Sequence, residues 1–228
     1  GNKEEAEKIM GNSFSAIIIV SIILTVTILL FGEEILLMFG ASTDTIGYAL
    51  EYITIYALGT IFVQLTLGLN AFVTAQGFPK VSMQTVVIGA IINIILDPIF
   101  IFTFGMGVKG AALATIIAQG VSAIWVVSFL RSDKSNLRIK RKNLAIKKSI
   151  ILPSLLLGLS PFIMQFTESI LSVVFNTQLQ KFGGDLAVGT MTILTSVMQF
   201  SLLPLLGLTQ GSQPIISYNY GAGNLKRV

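Results

Sequence analysis

The chain has 228 residues, of which 53% are hydrophobic and only 11% charged, and its mean hydropathy is +0.82. That composition excludes a disordered chain, argues against a soluble domain and allows about six membrane spans of roughly 20 apolar residues each. The net charge is +4, and the absence of both Cys and His removes thiol chemistry, disulfides and the commonest general base.

The first apolar run covers residues 14–31. No initiating Met and no signal-peptide pattern precede it, so the chain reads as a piece of a longer protein. The second run, 46–74, carries more polar residues, with Glu51 near its outer end and within reach of the interface. The third is 81–104 and the fourth 108–130. The fifth is 150–179, with Pro153 and Pro161, and the sixth 188–217, with Pro204 and Pro214. Proline is tolerated in such helices because neighbours satisfy the freed backbone groups. The expected fold is all-α: a polytopic membrane protein with six transmembrane helices in this chain.

Loop charges alternate. All of the 15 Lys and Arg residues except Lys109 and Lys181 fall on one side, in residues 1–12, Lys80, residues 131–148 and the tail. The positive-inside rule makes that side, with both chain ends, cytoplasmic in the cell membrane. The +4 charge is thereby a matter of topology, and no nucleic-acid partner is expected.

Residues 131–148 hold eight basic side chains (Arg131, Lys134, Arg138, Lys140, Arg141, Lys142, Lys147, Lys148) against Asp133 alone. The stretch admits two readings, a solvated linker that sets topology and a site for anionic lipid. The positive-inside rule favours the first. The linker, 131–149, divides four helices in 1–130 from two in 150–228. The pair Gly1-Asn2 recurs as Gly223-Asn224, and a repeat of that period would contain six spans and give two parallel halves.

Asp97 and Glu168 sit well inside apolar runs, where an ionised carboxylate is costly unless paired or solvated, and each is a functional-site candidate for that reason. Asn93 lies four residues before Asp97 on the same helix face, and Pro98 leaves the Ile94 carbonyl without its usual partner. A carboxylate, an amide oxygen and a carbonyl suit a hard cation such as Na⁺, or H⁺ at the carboxylate. Thr115 lies at the depth of Asp97, roughly 10 Å below the outer helix ends at about 1.5 Å per residue. It either supplies a further oxygen or caps its own helix. Gln165 and Ser169 flank Glu168 at helical spacing, and Pro161 frees the Leu157 carbonyl.

The run Asn93-Ile94-Ile95-Leu96-Asp97-Pro98-Ile99-Phe100, followed by Gly107-Val108-Lys109-Gly110-Ala111-Ala112-Leu113-Ala114-Thr115, resembles the multidrug and toxic compound extrusion (MATE) family. So do Ala75-Gln76-Gly77-Phe78-Pro79-Lys80, Gly207-Leu208-Thr209-Gln210-Gly211-Ser212-Gln213-Pro214 and Tyr218-Asn219-Tyr220-Gly221-Ala222-Gly223-Asn224. The likeness covers essentially the whole chain and is strongest to the bacterial MepA-like branch. It implies a fold of twelve helices in two lobes around a cleft, with this chain as helices three to eight. By the resemblance, Asp97, Asn93 and Thr115, with the Ala111 carbonyl, form a cation site, and Asn70 and Gln165 are substrate-side residues. Gly158, Pro161 and Glu168 keep the spacing of a second acidic site, with Pro one position later than the commonest pattern. Each site would need residues from helices this chain lacks.

The function so implied is a Na⁺- or H⁺-coupled efflux antiporter for amphipathic organic cations, with no cofactor beyond the coupling ion. Its partners would be drug molecules, membrane lipid and the remaining six helices of the transporter. A flippase for anionic lipid or oligosaccharide would want Arg inside a span, and there is none. An intramembrane enzyme lacks its residues, with no Cys, no His and no Asp-rich motif. A non-transporting scaffold would have no need of Asp97 and Glu168.

Overall fold

The structure, a computed structural model, describes residues 2–227. Of the described residues 86% are helical and none lies in a strand, as the composition requires. Gly1 lies outside them, so the repeated Gly1-Asn2 pair is seen only through Asn2, which caps the first helix by accepting the Glu5 N–H at 3.4 Å.

Helix α1 is Lys3–Met38, with a kink at Phe31. Helices α2, Ile46–Leu58, and α3, Thr60–Ala75, meet at a 56° bend. Helix α4 is Pro79–Pro98 and continues into one widened turn, Ile99–Thr103; α5 is Val108–Arg131. A short turn, Arg141–Asn143, precedes α6, Lys148–Gly221, which is two helices joined at Gly184 (φ 62°, ψ −164°). With α2–α3 as one bent span and α6 as two, the chain supplies six spans.

Three of these features depart from six plain helices. The second span breaks at Gly59 because α5 presses on it: a Cβ there would collide with Cγ2 of Ile116. The Ala57 carbonyl freed by the bend accepts the Thr25 hydroxyl of α1 at 2.8 Å. The third span widens after Pro98, which has no N–H to continue the ladder. Pairing shifts to five residues, and the Phe104 N–H reaches the Ile99 carbonyl at 2.9 Å. The fifth and sixth spans form one helical run because the only non-helical residue between them is Gly184, at a positive φ that glycine adopts readily.

The bundle α1–α5 is closely packed and α6 is not. Its core gathers at the end that carries the basic residues, where Met10 of α1, Leu65, Leu69 and Val73 of α3, and Val126 and Leu130 of α5 are buried together. Leu137 and Ile139 of the linker pack on the same cluster.

The expectation of a solvated linker is therefore corrected. Ser135 is only 3% exposed and donates to the Gln76 side chain at 3.0 Å, which also accepts the Leu137 N–H at 2.8 Å. Glu7, 3% exposed, accepts the Arg138 N–H at 3.3 Å and pairs with Lys140. Asn12 grips the linker twice, donating to the Asn143 carbonyl at 3.2 Å and accepting the Lys147 N–H at 2.7 Å. The physical reason is plain: the polar ends of α1 and α3 have unsatisfied groups, and the linker backbone satisfies them.

Candidate functional site

The site is built on α4. Asn93 and Asp97 stand one turn apart on one face, as their spacing predicts, and the Asn93 Nδ2 donates to Asp97 Oδ1 at 3.1 Å. Both are partly buried. Pro98 ends the regular helix directly after Asp97, and the widened turn Ile99–Thr103 follows. Such turns recur at functional sites because they break the helical ladder next to a side chain that must be placed.

Helix α5 packs antiparallel on α4. Two close approaches fix the register. A Cβ on Gly110 would lie 2.8 Å from the Phe100 carbonyl oxygen, and one on Gly89 would collide with Ser122 Oγ. Ser122 also donates to the Thr85 carbonyl at 2.9 Å. Between those contacts, Asp97 lies level with the turns that follow Gly110, where Ala111 and Thr115 stand. Thr115 donates its hydroxyl to the Ala111 carbonyl at 2.9 Å. Of the two roles open to Thr115, the structure shows the cap.

The chemistry available is that of a cation. The carboxylate accepts from one amide N–H, and a half-turn of the Asn93 amide would place its oxygen beside the carboxylate as a second donor. Glu51, at the opposite end from the linker, pairs with Lys109 across exposed surface at 3.2 Å and takes no part.

The remaining candidates lie elsewhere. Asn70 of α3 donates to the Ser82 carbonyl at 3.2 Å, in a cluster where Thr74 meets Ser82 at 2.9 Å. This ties α3 to α4, and the Asn70 Oδ1 is buried without a partner among the described residues. Glu168 and Gln165 are exposed on α6, away from Asp97, and Glu168 makes no ion pair or side-chain hydrogen bond among the described residues. The polar side chains that sequence reasoning missed are Glu7, Asn12 and Gln76, which seat the linker. Their only signal was a polar residue at each edge of an apolar run.

This arrangement has known counterparts. The family model MatE matches residues 1–99 and 161–228. The chain belongs to the MatE family. Among its curated relatives, Multidrug export protein MepA of Staphylococcus haemolyticus (strain JCSC1435) is 30% identical over 222 residues, which is 96% of this chain and 49% of that protein. MepA of Staphylococcus aureus (strain NCTC 8325 / PS 47) is 30% identical over 232 residues, covering 100% of this chain and 51% of the relative. The MATE multidrug transporter DinF-BH, solved in complex with a dye, superposes with a TM-score of 0.91 at 34% identity, covering 98% of this chain and 50% of that one. The chain thus spans about half the length of the MatE relatives it matches. It is a membrane-transporter sequence of that family and not an enzyme.

Proposed function

We propose that the whole protein is a cation-coupled multidrug efflux antiporter of the cell membrane, with the linker and both ends of this chain on the cytoplasmic side. The observation that carries this reading is the Asn93–Asp97 pair set beside the widened turn after Pro98. An ionisable side chain inside an apolar helix is expensive to keep, and an ion pathway is the commonest reason for one. The names of the relatives, multidrug export proteins and a multidrug transporter solved with a dye, support export of drug molecules.

In this reading Na⁺ or H⁺ binds Asp97 and favours one arrangement of two lobes over the other, while an amphipathic organic cation binds the competing arrangement. The ion must bind the two states with different affinities for coupling to arise. Residues 1–130 would belong to one lobe and 150–228 to the other. The exposed length of α6 would be covered by helices from the other half of the transporter, and Glu168 would be a second cation-binding carboxylate with Gln165 beside the substrate path.

The test is Asp97→Asn in the full-length protein, at matched membrane expression. The expected result is loss of ion-driven drug efflux with normal insertion. Drug export by the variant at the wild-type rate would overturn the assignment.

A further inference from the structure

The linker contains more positive charge than its folded contacts use. Lys140 pairs with Glu7, Arg138 with Asp133 and, nearby on α1, Lys8 with Glu4. Arg141, Lys142, Lys147 and Lys148 are all exposed and form no ion pair among the described residues. Glu5 is the one acid of α1's first turns that also forms none among them, so the surplus at this end is strongly positive.

These four cations are held at a defined depth. The backbone that carries them is fastened to α1: the Asn143 carbonyl accepts from Asn12, the Leu144 carbonyl accepts the Ser15 hydroxyl at 2.6 Å, and the Lys147 N–H donates to Asn12. Asn143 lies so close that a Cβ on Gly11 would meet its carbonyl oxygen at 2.6 Å. Residues 11–15 are where the apolar run of α1 begins, with Phe14 the first large apolar side chain of that run. The segment is therefore held at the level where hydrocarbon gives way to headgroups. Between the two basic pairs, Ile146 is 43% exposed. An apolar side chain among surface cations suits a partner with a charged head and an apolar body.

We propose that residues 141–148 form a docking surface for anionic phospholipid, with the Arg141, Lys142, Lys147 and Lys148 side chains on the headgroup phosphate and Ile146 against the upper acyl chain. A free phosphate offers nothing to Ile146, which is why the surface is assigned to lipid. The proposal needs the chain to lie in a membrane and is independent of any transport activity.

The experiment is native mass spectrometry of the full-length protein, titrated with phosphatidylglycerol or with phosphatidylcholine of the same acyl chains. Wild type should bind phosphatidylglycerol at least about tenfold more tightly, since each basic residue at an anionic surface is worth about fivefold. The variant R141Q/K142Q/K147Q/K148Q should lose that preference. K142R/K147R/K148R, which keeps the charge, should retain it, and so should K109Q/K181Q at the opposite end. Inorganic phosphate in large excess should not displace the lipid. No preference in wild type, a preference that survives the four Gln substitutions, equal loss in the opposite-end variant, or displacement by phosphate would each overturn the proposal.

Discussion

At the scale of single residues, two carboxylates are held by different means. Asp97 takes one amide N–H from Asn93. A hydrogen bond to a charged group contributes about 1.5–3 kcal/mol, so Asn93→Ala should weaken the apparent affinity for the coupling ion by roughly tenfold or more. The ion dependence of efflux measures this, and an unchanged half-saturation would remove Asn93 from the site. Glu7, in the turns of α1 ahead of the apolar run, is pulled two ways. Burial raises its carboxyl, but Lys140 and the Arg138 N–H outweigh burial and hold it below its ordinary 4.5. A lowered carboxyl stabilises the fold fully above its unfolded value, and that contribution is lost as pH falls through the folded value. Thermal stability of the detergent-purified protein should fall as pH drops below about 4.5, more steeply for wild type than for Glu7→Gln. Parallel pH curves would show that Glu7 does not seat the linker by its charge. Asp97 was legible in the sequence because an acid inside an apolar run has few bland explanations. Glu7 was not, because an acid near a helix start is ordinary and its partner Lys140 lies 133 positions away.

At the scale of elements, small residues set how closely helices approach. Gly89 of α4 faces Ser122 of α5, whose hydroxyl would collide with a new Cβ while its own Cβ lies 3.7 Å from that point. The hydroxyl is therefore the obstacle. Gly89→Ala should destabilise the protein by about 1–3 kcal/mol through overpacking. Ser122→Ala should restore most of that loss in the double variant, because it removes only the colliding atom. Melting curves of the single and double variants decide this, and simple additivity of the two would show that the helices adjust elsewhere. The six apolar runs were legible from hydropathy, and their boundaries agree closely with α4 and α5. The bend at Gly59 was not, because its cause is Ile116, a residue on another helix. The widened turn after Pro98 was half legible: the proline marked a missing N–H, but how the backbone would repair itself depends on the turn that follows.

At the scale of the whole chain, α6 touches the first bundle at two opposite places. One is the linker. The other is the far end of α1, where the Thr177 hydroxyl donates to the Met38 carbonyl at 3.2 Å and the Ser42 hydroxyl to Asp185 at 3.0 Å. Gly40 fits there because its φ is 91° and because a Cβ would lie 3.0 Å from Asn176. If two lobes rock against each other, the Ser42–Asp185 contact is where they part. With 0 Cys in this stretch, a Ser42→Cys and Asp185→Cys pair adds the only two thiols to it. Under oxidation the pair should cross-link and halt efflux, and reductant should restore it. Continued efflux with the cross-link formed would show that this end stays closed throughout the cycle. Such a contact could not be read from sequence, since Ser42 and Asp185 are ordinary loop residues until the fold brings them together.

The seating of the linker also bears on how the protein is made. During synthesis α1 through α5 emerge first, with Glu7, Asn12 and Gln76 still lacking the groups they hold in the finished fold. Their partners arrive only when the ribosome has passed Lys147. The first four spans are then latched before the helices of α6 leave the translocon, so early misassembly between the two groups of helices is restrained. A nascent chain halted at residue 130 should be cleared by membrane proteases faster than one halted at 148.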